Sequence, residues 1–200
     1  MSEILSFIFE AMRLKRLPRS GWIFSGVAMS EVESVADHSF FVTMITLIIA
    51  LAEQQKQEQE QTINLEKALI MALLHDLAEG VSQDIDRRVK EFAPKSYQEF
   101  KKELDENATK EILQKLPTIL TEQLSTYYDE YRKQETIEAK IVAEADRLET
   151  LIQLVNYTRL GYPKTLFRKF YEFLRQEQKS YKIPLIKDIA KQLLEGEEKL

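Results

Sequence analysis

Only two histidines occur in the 200-residue chain, His38 and His75. Each lies in or beside an apolar helical pattern and has an acidic neighbour, Asp37 before His38 and Asp76 after His75. Glu79 follows in Leu-Leu-His-Asp-Leu-Ala-Glu, which on a helix puts it one turn beyond the His-Asp pair, on the same face. Asp146 interrupts another apolar stretch, Ile-Val-Ala-Glu-Ala-Asp-Arg-Leu, where an isolated carboxylate is costly without a partner. Two imidazoles and two carboxylates form a nitrogen–oxygen donor set suited to Mn, Co, Fe, Ni, Zn or Mg. An ion there would lower the pKa of a bound water and polarise a phosphoryl group. Singly, each residue has a commoner structural use: His38 as a satisfied core or helix-end histidine, Asp146 as an arginine partner or cap, Glu79 as a solvated helix residue. One ion would account for all of them together.

The elements that must position these residues read as helices. Glycine and proline are scarce, at five each, and Leu, Ile, Ala, Glu, Lys and Gln dominate. A first helix is predicted from Ser2, its N-cap, to Leu17, with Ile4, Phe7, Ile8 and Met12 on the buried side. Pro18 and Gly21 break it, and an irregular segment runs to Glu33. A second helix starts near Ser34 and continues through Phe41, Ile45, Ile48 and Ala52 into a polar, low-complexity stretch, Glu53 to Gln61. Asn64 caps a third helix that buries Ala68, Met71, Ala72, Leu74 and Leu77 and carries the His-Asp pair, with Gly80 near its end. Ser96 with Glu99 resembles a capping box for a helix reaching Leu116, and Pro117 opens a segment ending near Gln134. Thr136 caps a helix with the stripe Ile141, Ala145, Leu148, Ile152 and Val155, closed by Gly161-Tyr162-Pro163. Two further helices follow, the last opened by Pro184.

Composition narrows the function. The net charge of −5 argues against a general nucleic-acid coat protein. The absence of cysteine removes disulfides, zinc fingers and iron–sulfur sites and fits the cytoplasm. The N-terminus has no signal-peptide pattern. The longest apolar stretch, Phe40 to Ala52, is shorter than the ~18–20 residues of a membrane span. No repeat or linker divides the chain. The expectation is a soluble, all-α, single domain over residues 1–200, with its metal-binding core at about 30–160 and helices over 163–200 packed on it.

The ordered set His38, His75-Asp76, Asp146 resembles the signature of the HD-domain superfamily of metal-dependent phosphohydrolases. Four longer blocks sharpen the likeness: Leu14 to Trp22, Glu33 to Ser39, Ala72 to Glu79 and Glu144 to Glu149. Together, across about residues 5–160, they are similar to the 5′-deoxynucleotidase branch. The resemblance implies an all-α HD-domain bundle with His38, His75, Asp76 and Asp146 as ligands of a divalent ion such as Mn, Co, Mg or another transition metal. It implies Glu79 and Asp84 as catalytic carboxylates, Arg19 as a phosphate-binding residue and Trp22 as the aromatic that packs against the nucleoside, while the residue itself reads equally as an anchor of its loop to the core. The implied reaction is removal of the 5′-phosphate of deoxyribonucleoside monophosphates by attack of metal-bound water, in a homodimer, with no nucleic-acid polymer and no membrane as partner.

The chain departs from the branch after the third block. Relatives often have Gly immediately before the aspartate and Thr-Pro after Asp-Ile, where this chain has Gln83-Asp84-Ile85-Asp86. Arg147 is expected to orient Asp146 or to pair with Glu144. Other readings are an HD-domain hydrolase of another nucleotide phosphate, a metal- and nucleotide-binding sensor without turnover, and a helical interaction protein without metal. Gly161-Tyr162-Pro163 spells a motif of cyclic-dinucleotide enzymes but falls at a helix stop, where it reads as a turn. The aromatics of Tyr127–Tyr131 and Phe167–Phe173 are candidates for an interface or for the core.

Overall fold

The computed structural model describes residues 2–56 and 62–197. Among them there is no strand, and a lone bridge joins Pro18 to Ser34. The chain forms two compact units, Met1–Ser39 with Leu73–Asp129, and Phe40–Ala72 with Glu130–Leu200. Most of the polar stretch expected at Glu53–Gln61 lies outside the described residues.

In the first unit, α1 spans Glu3–Ala11. Ser2 caps it, its Oγ accepting the Leu5 N–H at 3.3 Å. A 3₁₀ turn, Met12–Arg16, continues the chain. Ile4, Ile8 and Met12, expected on the buried side, are exposed. The covered side is set instead by close backbone approach: a Cβ on Gly80 would stand 3.4 Å from the Glu10 carbonyl and 3.6 Å from Leu14. The segment after Pro18 is less irregular than expected, because a short helix, α2 (Ser20–Phe24), forms there. Arg19 N–H donates to Glu33 O at 3.0 Å and Val35 N–H to Leu17 O at 2.8 Å, zipping the two flanking segments together.

The helix α3 covers Val35–Gln54. Ser34 and Asp37 cap it reciprocally: Asp37 N–H donates to Ser34 Oγ at 3.1 Å, and Ser34 N–H to Asp37 Oδ2 at 2.9 Å. At 20 residues it is long and apolar enough to cross a membrane, unlike the shorter stretch read from Phe40 to Ala52. Its buried stripe is Val35, His38, Val42, Thr46, Ile49 and Glu53, whereas Phe41 and Ile48 are exposed.

The next helix, α4 (Leu65–Leu74), is capped by Asn64, whose Oδ1 accepts the Lys67 N–H at 3.0 Å. Ala68, Met71, Ala72, Leu74 and Leu77 are buried as expected. The helix stops before the His-Asp pair, however. Residues 75–78 form tight i→i+3 turns leading into a short helix, α5 (Glu79–Ser82). Another short helix, α6 (Val89–Phe92), precedes α7 (Pro94–Leu113), which packs on α5 and α6. Pro94 at its first turn, not Ser96, starts α7, because proline loses no hydrogen bond there. The following helix is α8 (Thr118–Lys133).

In the second unit the centre is α9, Ile137–Arg159, almost wholly buried along one side. Thr136 caps it, accepting the Ala139 N–H at 3.4 Å. Of its expected stripe, Ile141, Ala145, Leu148 and Val155 are buried and Ile152 is exposed. Gly161, at φ 102°, ends it in a conformation that favours glycine. Tyr157, Tyr162 and Phe167 then cluster, with ring centroids 5.8–6.4 Å apart. The last two helices, α10 (Arg168–Glu177) and α11 (Pro184–Glu197), both pack on α9. The buried Glu144 anchors the start of α11, accepting N–H groups of Lys182 at 2.6 Å and Ile183 at 3.0 Å. Arg147 turns from Asp146 to this end: it meets Glu177 at 3.2 Å and stands over the Tyr181 ring.

Candidate active site

The first unit brings both histidines together. His38, one turn into α3, and His75, just past α4, face each other with Nε2 atoms 3.4 Å apart. Asp76 Oδ2 lies 3.5 Å from His38 Nε2 and 3.2 Å from His75 Nε2. Both imidazoles are buried. Burial by itself would raise the Asp76 pKa, but the facing His75, Arg19 and His38 outweigh it and hold the carboxyl well below its ordinary value.

This donor set fits a divalent ion. Three lone-pair donors within 3.5 Å of one another repel unless protons or a cation sit among them. Ligand bonds of about 2.1 Å place neighbouring donors at about that spacing. The tight turn after Leu74 makes the cluster possible, since consecutive positions of a regular helix diverge by about 100°. Asp146, the fourth expected ligand, belongs to the second unit. It is buried on α9, and its backbone carbonyl accepts the Thr150 hydroxyl at 3.2 Å.

Glu79 opens α5 and is 7% exposed. Its Oε2 is buried with no hydrogen-bond partner among the described residues. Burial first, then the charges of Asp76 and Asp84, push its pKa well above the ordinary value, with Arg19 and Lys101 opposing in part. Asp84 is held by the Ser20 backbone N–H at the start of α2. Gln83, the residue at the departure from relatives, has φ 67° and ψ 160°, so it adopts a conformation that favours glycine. Arg88 secures the loop beyond, bonding Asp86 through Nε at 2.7 Å and donating to Gly21 O at 3.3 Å.

Arg19 extends Nη1 to Asp76 Oδ2 at 3.2 Å, beside the donor set. Trp22 differs from the expected nucleoside-facing aromatic. It is 2% exposed, and its Nε1–H donates to Glu33 Oε1 at 2.7 Å. Arg19 Nε lies 4.0 Å from the same oxygen. Its ring is therefore core, and its polar edge positions Glu33. Glu33 and Lys101 are the residues that sequence reasoning left without a role. Glu33 opens the block that contains His38, which is a usable signal. Lys101 sits in a run of charged residues on α7 that carries none, yet its Nζ reaches to 3.9 Å from Glu79 Oε1.

Two buried histidines and a half-buried aspartate, beside a carboxylate oxygen without a partner among the described residues and a cationic guanidinium, can bind a divalent ion, position water and hold an anionic ester. Comparison with known proteins points the same way. Human 5′-deoxynucleotidase HDDC2 is 31% identical over 169 residues, which are 84% of this chain and 75% of that protein. Its Danio rerio counterpart is 31% identical over 196 residues, 98% of this chain and 88% of that one. The crystal structure of the PH0347 protein from Pyrococcus horikoshii superposes with a TM-score of 0.71 at 31% identity, covering 96% of this chain and 98% of that one. The HD domain family model matches residues 11–186, and the chain belongs to that family.

Proposed function

We propose that this protein is a metal-dependent 5′-deoxynucleotidase, removing the 5′-phosphate from deoxyribonucleoside monophosphates. The observation that carries the reading is the convergence of His38, His75 and Asp76 next to the buried, unpartnered Oε2 of Glu79. The names of relatives at about 30% identity narrow the ester to a deoxynucleotide.

His38, His75 and Asp76 would hold the ion, which would supply Lewis acidity toward water and phosphoryl oxygen. Glu79 Oε2 accepts the proton of the attacking water. That oxygen is buried without a hydrogen-bond partner among the described residues, which leaves it a lone pair for the proton. Asp84, fixed by the Ser20 N–H, stands near Glu79 as the second carboxylate of the site. Arg19 stands beside the donor set, and its forked guanidinium matches the geometry of phosphate oxygens. Trp22 supports Arg19 through Glu33. We read residues 1–200 as one HD domain acting in the cytoplasm as a homodimer. The exposed apolar side of α3 supports the dimer.

The test is phosphate release from dAMP and AMP by chelated protein reloaded with Mn, Co or Mg, beside a His75→Ala control. Metal-dependent release that favours dAMP and vanishes in the control is expected. Metal binding without release from any deoxynucleoside monophosphate would overturn the substrate assignment.

A further inference from the structure

One face of α7 carries polar residues with no part in the function proposed above. Tyr97, Lys101 and Asp105 stand four residues apart and so share a side of the helix, and α7 packs on α5, where Glu79 sits. Lys101 Nζ is 2.8 Å from Asp105 Oδ1, a contact that fixes the otherwise flexible ammonium. The same nitrogen is 3.9 Å from Glu79 Oε1. Burial, with the nearby charges of Asp105 and Asp84, outweighs Lys101 and Arg87 and raises the Tyr97 hydroxyl pKa, so the stripe also lies within the field of Asp84. The two oxygens of Glu79 are therefore unlike. Oε1 faces a pinned cation, whereas Oε2 is buried without a partner.

We propose that Lys101 is a positioning residue for Glu79: steadied by Asp105, its ammonium holds Oε1 and thereby presents Oε2 to the attacking water. Lys101 makes and breaks no bond, and the proton passes from water to Glu79 as before. The ammonium is aimed at Glu79 and Asp105, whereas Arg19 reaches Asp76 of the donor set, which distinguishes the two cations. The inference rests on the phosphohydrolase reading for the reaction but not on the identity of the ester.

The experiment therefore uses both dAMP and p-nitrophenyl phosphate, with variants Lys101→Ala, Lys101→Gln, Lys101→Arg, Asp105→Asn and Glu79→Gln. Loss of Lys101 should lower kcat by about 10–100-fold with KM nearly unchanged, the scale expected when a catalytic group is misplaced. Arginine should restore part of the rate, and Asp105→Asn should fall between. In a Glu79→Gln background, removing Lys101 should cost nothing further, because Lys101 acts through that carboxylate. A raised KM at constant kcat would make Lys101 a phosphate ligand instead, and losses that multiply in the double variant would make it an independent structural residue. Either result overturns the proposal. If only p-nitrophenyl phosphate turns over, the nucleotidase assignment fails while the Lys101 comparison remains readable. If neither ester turns over, urea midpoints of the four proteins in the Glu79–Lys101 cycle decide: additive shifts overturn the pairing, and non-additive shifts support it.

Discussion

At the residue scale, Glu79 is held in an environment that favours its protonated form, and this has a consequence for stability. Burial, then the charges of Asp76 and Asp84, raise its pKa in the folded protein above the unfolded value of about 4.3. Between those two values the folded state binds more protons than the unfolded one, so the metal-free protein loses stability as pH rises through that window. Glu79→Gln removes this titration. The metal-free variant should melt higher than wild type at about pH 8 and show little gain at about pH 4, while kcat falls by roughly 10²–10⁴-fold. Equal melting temperatures at both pH values would contradict the argument. The same scale shows what sequence can carry. His38, His75 and Asp76 were legible because buried imidazoles and carboxylates need partners and because they stand in a familiar order. The support around them was not. Trp22 could read as a nucleoside surface or a core anchor; an indole has a large apolar body and one N–H, and burying the first while giving the second to Glu33 satisfies both. Lys101 depends on how α7 docks, which no local pattern encodes.

At the element scale, the informative errors lie at helix ends. The apolar pattern of α4 continues through Leu77, so the helix was expected to carry the His-Asp pair. The structure ends it at Leu74 and uses the turn to bring both side chains to one point. The next turn holds strain at Gln83, with φ at 67°. Gln83→Gly should relieve it, and after the extra chain entropy of glycine the net gain should be about 1 kcal/mol, read from the denaturant midpoint. Gln83→Ala should give no gain, since alanine meets the same clash; an equal gain from both would mean that strain is not the cause. Glu144 makes a second test. Sequence places it inside a motif block, yet its carboxylate serves as the anchor for the first turn of α11, taking the Lys182 and Ile183 N–H groups. Bonds to a buried charge are strong, so Glu144→Ala should destabilise by about 2–4 kcal/mol and expose the segment before Pro184 to protease. A surface-like loss of a few tenths of a kcal/mol would show that α11 holds without it. By contrast, the caps at Ser2, Asn64 and Thr136 were readable, because capping depends on a few consecutive residues.

At the scale of the whole molecule, the open question is what covers α3. One side of the helix is packed by Val42, Thr46, Ile49 and Ala50, while Phe40, Phe41, Met44, Ile48 and Leu51 are exposed. By length and apolar composition alone the helix is able to cross a membrane. A membrane-spanning helix, however, must offer an apolar surface to lipid or to other spanning helices along its whole length. Here the packed side also carries His38, Thr46 and Glu53, all buried within the protein. An exposed strip on one side of an otherwise packed helix suits a two-fold contact, in which the same patch meets its own copy and each side chain is buried twice. The aromatics of Tyr127–Tyr131 and Phe167–Phe173 are less suited to this use, since Tyr128 and Phe167 are core residues. Sedimentation velocity should show a dimer for the wild-type protein at micromolar concentration and a monomer for Ile48→Glu, because a charge in the middle of an apolar contact is desolvated without a partner. A dimer that survives Ile48→Glu would move the interface elsewhere. A wild-type protein that floats with phospholipid vesicles, and loses that behaviour in the same variant, would assign the strip to lipid.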